Sequence, residues 1–175
     1  AGVIIGIGVA DHAFKHQLSY GTYFNRAMVT QDLSAVTAAV MLVRKEVYEK
    51  VAGFGEDFAV AFNDIDFCLK IRQAGYLVVY AAYGCFHHYE SKSRGEDDTS
   101  AKMERFQSEI GLFIEKWEGL LEQGDPYYNP NLSLQSALYS PRNIKYEKIG
   151  EPYFNREERE RLKKHLSEND NIVKS

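Results

Sequence analysis

From Phe62 to Gly95 the chain sets an acidic helix start, one short apolar run and a pair of histidines in direct succession, and that order limits the fold more than any other feature. Asn63 can cap a helix whose first turn holds Asp64 and Asp66. Ile65, Cys68, Leu69 and Ile71 supply its apolar contacts, and Gly75 is placed to end it. Leu77 to Ala81 is then a run with a β-branched centre, of a length that suits a buried strand and not a second helix. His87 and His88 follow it directly. In an open α/β sheet ligands collect where loops leave the carboxyl ends of strands, so a carboxylate and an imidazole can meet there.

The rest of the chain supports a sheet flanked by helices. Gly2 to Val9 reads as one apolar strand, followed by a polar loop from Asp11 to about Thr30 that carries His12 and His16. Those loop histidines read best as solvated. Ala35 to Val43 reads as a second apolar strand and Arg44 to Val51 as a short helix behind it. After a charged connection from Arg94 to Thr99, Ser100 can cap a long helix. Phe106, Ile110, Phe113, Ile114, Trp117, Leu120 and Leu121 form its single apolar stripe. From Gly124 onward Pro126, Pro130, Pro141 and Pro152 punctuate an aromatic-rich extended segment that wraps the surface or reaches a neighbouring domain. Asn155 and Glu158 then have the spacing of a capping box for a final charged helix.

Composition narrows the function classes. With 175 residues, 45% of them hydrophobic and 26% charged, the chain suffices for one core. A net charge of −4 gives no overall basic field, which argues against nucleic acid as the main partner. No apolar run reaches the ~20 residues that span a bilayer, and no signal-peptide pattern opens the chain, so a cytoplasmic location, extending to the inner face of the membrane, is expected. Cys68 and Cys85 lack a paired metal or redox spacing and read as small buried thiols.

Taken together, these segments resemble the acceptor half of a family 2 glycosyltransferase, the GT-A type of the bacterial cell-surface polysaccharide and rhamnosyltransferase-like group. Ser34 to Tyr48 is similar to that family's strand-then-helix entry, Val51-Ala52-Gly53-Phe54 to its glycine-phenylalanine turn, and Phe62-Asn63-Asp64-Ile65-Asp66 to its acidic motif. His88 to Gly95 is similar to its histidine-serine loop and Asp125 to Asn131 to the tail of one subgroup. The sequence departs from the family where Ala38 replaces a frequent glycine, Gly55 an aspartate, Asn63 a glutamate and Lys70 an arginine. The resemblance implies an α/β chain with a partial GT-A (nucleotide-diphospho-sugar transferase) fold, a mixed sheet flanked by helices, lacking the N-terminal nucleotide-binding half. Residues 1–123 would be the acceptor-side half, and residues 124–175 an extended tail with a short terminal helix.

What the resemblance implies chemically is metal-dependent, inverting transfer of a sugar from a nucleotide-sugar donor to a glycan or lipid-linked acceptor, with the fragment inactive by itself. Such transfer needs a base for the acceptor hydroxyl and positive charge for the leaving diphosphate. Asp64 takes the place of the base. A purely structural aspartate at a helix start is the alternative, worth ~0.3–1 kcal/mol through the macrodipole. Asp66 cannot easily share a substrate with Asp64, because side chains two apart on a helix diverge. It should instead close the cap with Asn63 or pair with a basic neighbour. His88 is implied as a ligand for Mg2+ or Mn2+, completed by carboxylates of the missing half, or else as a direct contact to diphosphate; a packed, hydrogen-bonded histidine is the structural alternative. Ser91, Ser93 and Arg94 could hold diphosphate oxygens if the loop folds over the donor, and an ordinary solvated loop is the equal alternative. Thr37, Ala38 and Asn63 would form the acceptor-side wall, with core packing the rival account for Thr37 and Ala38. Two other readings stand beside this one: a non-catalytic carbohydrate-binding or scaffolding module of the same fold, and a metal hydrolase using Asp64, Asp66 and His88. Exposed strand edges on a half-sheet lead us to expect self-association.

Overall fold

The apolar run at the N-terminus folds as a hairpin and not as one long strand. In the computed structural model, which describes residues 2–15, 17, 21–84, 86 and 100–146, Gly2–Ile5 (β1) pairs antiparallel with Ala10–His12 (β2), Ile5 opposite Ala10. Gly6, at φ 94°, lets the chain reverse, and its amide donates to Val9 O at 2.9 Å.

β1 is the centre of a three-stranded sheet, bounded on its other side by β4 (Ala35–Val36). Its alternating side chains supply both faces. Val3 and Ile5 enter one core with Phe67, Leu69, Phe113 and Ile114, and Ile4 enters a second with Phe14, Tyr128, Leu132 and Tyr139. The segment after Gly124 therefore packs on the far face of β1, where Asp125 accepts from Ile5 N at 2.9 Å and from Ser34 Oγ at 2.6 Å.

The strand expected over Ala35 to Val43 stops after two residues. Thr37 caps a one-turn 3-10 helix, Ala38–Val40, its Oγ1 accepting from Ala39 N at 3.4 Å. The Ala38 amide is taken by Asp64, so neither amide serves a ladder. The short helix expected from Arg44 to Val51 is present as α1 (Lys45–Lys50) with those two residues as its caps.

The second helix, α2 (Asn63–Gln73), packs on β4. Its N-cap is Phe62 in a left-handed conformation, and Asn63 is the first helical residue, so the expected Asn63 cap is displaced by one position. At the other end Gly75 stops the helix as expected. Gly75 N donates to Arg72 O and Tyr76 N to Ile71 O, the paired bonds of a Schellman motif.

The strand expected at Leu77 to Ala81 is shorter and one-sided. Only β5 (Val79–Tyr80) pairs, antiparallel to β3 (Gln31–Asp32), with Leu33 N donating to Val78 O. Val78 is buried while Leu77 and Val79 are 63% and 50% exposed, the alternation of an edge and not a doubly covered strand. All strand pairings among the described residues are antiparallel, in two small sheets. The long helix appears as α3 (Ser100–Gln123) with Phe113, Ile114, Trp117 and Leu121 buried. The result is an α/β chain, and no helix of the described residues is long and apolar enough to cross a membrane.

Candidate acidic site

Asp64 sits at the second position of α2 and is partly exposed. Its Oδ2 accepts from Ala38 N at 3.0 Å, its Oδ1 from Ile65 N at 2.9 Å, and its own amide donates to Asn63 Oδ1 at 2.7 Å. The fold thus gathers four residues singled out in the sequence: Asp64, Asn63, Ala38, and Thr37, which caps the same 3-10 turn. A carboxylate oxygen has two lone-pair sites, so each oxygen retains one for a further donor such as a hydroxyl.

Asp66 diverges from it completely. It is fully buried, with Oδ1 2.8 Å from Lys116 Nζ and 2.9 Å from Trp117 Nε1, and Oδ2 3.8 Å from Lys70 Nζ. Lys70 also donates to Gly53 O, which ties α2 to the glycine-phenylalanine turn. Of the two roles expected for Asp66, pairing with basic neighbours is the one observed. Burial also removes Asp66 from the ligand set that the hydrolase reading requires.

Glu109 escaped the sequence reading. It lies on α3 between Phe106 and Phe113 at helical spacing, on the face that meets the acidic motif. Its carboxylate, 4% exposed, accepts from the successive amides of Val60 and Ala61 and lies 3.8 Å from Arg105 Nε. The next residue is Phe62, at φ 62°, whose ring rests 4.9 Å from Phe113 and 5.9 Å from Phe106. A charged residue inside an otherwise apolar stripe was the available signal.

Cys68, on the turn after Asp64, is buried as expected and donates to Val36 O at 3.6 Å. Burial, with a smaller contribution from Asp64, pushes its thiol from the usual 9.0 up to about 11. A raised thiol pKa contributes stability that is whole below pH 9 and lost as pH rises through 11. Alkaline denaturation curves should therefore show about 3 kcal/mol of Cys68-dependent loss across that window. Cys68→Ala should lack this loss, and equal pH slopes for both proteins would refute it.

A cavity of about 380 Å3 opens beside the site, between the β1–β2 turn with the start of β2 (Ile7 to Asp11) and Phe62, Phe106 and Ile110. Asp64 is not part of its wall. Among the described residues no three His, Cys, Asp or Glu side chains gather as a metal-binding group. His88, Ser91, Ser93 and Arg94 lie outside the described residues, as do His16, Cys85 and His87. His12 lies on β2, partly exposed, opposite Val3.

Two curated proteins are similar to this chain. An uncharacterized protein, y4gI, of Sinorhizobium fredii (strain NBRC 101917 / NGR234) is 43% identical over 148 residues, which is 81% of this chain and 16% of that protein. The O-antigen biosynthesis protein RfbC of Myxococcus xanthus is 34% identical over 140 residues, 78% of this chain and 11% of that protein. No protein-family model matches the chain. No solved structure matches it either. The chain thus spans less than a fifth of the length of either relative.

Proposed function

We propose that this chain is the acceptor-side part of a glycosyltransferase of family 2 and GT-A type, acting in the synthesis of a bacterial surface polysaccharide. The observation that carries this reading is the division of labour between the two acidic residues. Asp66 is locked inside by Lys116 and Trp117, whereas Asp64 faces the Thr37–Ala38 turn with lone pairs to spare. One carboxylate ties α2 to α3 and the other is left at the surface of the helix start, as a base for an acceptor hydroxyl requires. The name of the RfbC relative, given for O-antigen biosynthesis, supports the same substrate class.

In this proposal Asp64 takes the proton of the acceptor hydroxyl while Thr37, Ala38 and Asn63 border the acceptor. The described residues do not by themselves make a metal site. Mg2+ or Mn2+ belongs to the proposal only through His88 acting with carboxylates of a nucleotide-binding half, where it would offset diphosphate charge. Ser91, Ser93 and Arg94 are proposed for the donor diphosphate on the same footing.

The test is a panel of labelled nucleotide-sugars offered to the full-length protein with polysaccharide or lipid-linked acceptors. Label should pass to an acceptor from one donor class, and His88→Ala should raise the divalent cation concentration needed for half-maximal transfer by about tenfold or more. Retention of all label in the nucleotide-sugar across the panel would favour the carbohydrate-binding module instead, and release of label only as free sugar would mean hydrolysis and not transfer.

A further inference from the structure

We infer that Glu109 is a positioning residue for Asp64, an inference that rests on the reading of Asp64 as the base. Glu109 belongs to α3, far from the acidic motif in sequence, yet its buried carboxylate receives both amides of the dipeptide that leads into that motif. Phe62 follows at φ 62°, a conformation that costs a bulky residue energy and persists only where its surroundings hold it from several sides. Those restraints are visible. Glu109 fixes the two residues before Phe62, and Phe106 and Phe113, one turn to either side of Glu109, pin its ring. Phe62 O in turn accepts the first bond of α2, from Asp66 N at 2.8 Å. The direction in which α2 leaves this turn sets where Asp64 meets Ala38 N.

A carboxylate suits this task because it is an acceptor on both oxygens. Glutamine of the same shape offers one acceptor and turns an amide NH2 toward the second backbone N–H. One of the two buried amides then loses its partner, and the turn before Asp64 loosens. A base displaced by about an ångström can cost 100-fold in rate without touching substrate affinity.

In the full-length protein, Glu109→Gln should lower kcat for transfer by about tenfold to 100-fold while donor KM stays within about twofold. Leu121→Ala, a core change on α3 away from the acidic turn, serves as the stability control. It should lower the Tm at least as far and retain kcat. If Glu109→Gln does not fold, Glu109→Asp, which keeps the charge and shortens the reach, is read by the same criterion. Wild-type kcat in the Glu109 variant alongside an inactive Asp64→Asn would overturn this inference and leave the base assignment standing. So would a kcat that falls in step with Tm in Glu109→Gln and Leu121→Ala alike. An active Asp64→Asn would instead remove the base assignment, and this inference with it.

Discussion

With Asp64 as the proposed base of sugar transfer, Asp64→Asn in the full-length protein is expected to reduce that transfer by about 1,000-fold, within the range that a positioned general base contributes, while nucleotide-sugar affinity stays near wild type. Asparagine keeps the size of the side chain and one carbonyl oxygen, so it can still accept from either Ala38 N or Ile65 N, though not both. The lost bond should cost about 1 kcal/mol of stability, too little to unfold the chain. What asparagine cannot do is take a proton from a hydroxyl. Transfer rates and calorimetric donor binding, measured on the same preparation, separate the two effects. Undiminished turnover would return Asp64 to a helix-start aspartate with no chemical role. A parallel loss of donor binding would place it on the nucleotide instead.

The sequence marks much of this geometry. Local signals carried the parts that local physics decides: Gly75 ends α2, Arg44 and Val51 bound α1, and the 3.6-residue stripe places Phe113, Ile114, Trp117 and Leu121 in the core. The divergence of Asp64 and Asp66 also followed from helix geometry alone. Strand lengths did not follow, because apolar runs do not record where backbone amides find partners. Gly6 turns the first run back on itself, and Asp64 takes the Ala38 amide out of the second. The cap at Asn63 is displaced because Phe62 adopts a left-handed turn that nothing in its identity announces. Glu109 and Asp125 act across long stretches of chain on backbone amides, and a backbone amide carries no sequence label.

Trp117 should be the most costly single side chain to remove from this fold. It is 3% exposed, and its Nε1 donates at 2.9 Å to Asp66, a carboxylate with no exposure at all. Truncation to alanine forfeits the buried indole, about 3–5 kcal/mol in a core that relaxes only in part. It also strips one donor from a buried charge, which adds about 1 kcal/mol or more. For a chain of this size that sum corresponds to a Tm lower by about 10–15 °C. Trp117→Phe separates the contributions, since it keeps most of the apolar surface and loses only the donor. Its cost should be about 1–2 kcal/mol, because Lys116 still reaches the same oxygen at 2.8 Å. The backbone of Trp117 leaves helical geometry at φ −114°, ψ 19°, on the residue whose ring reaches Asp66, so packing and hydrogen bond are made by one local adjustment of α3. A Trp117→Ala protein that melts within 2–3 °C of wild type, roughly 1 kcal/mol, would mean that α3 does not anchor the acidic helix. The positions of Asp66 and Asp64 would then need another support.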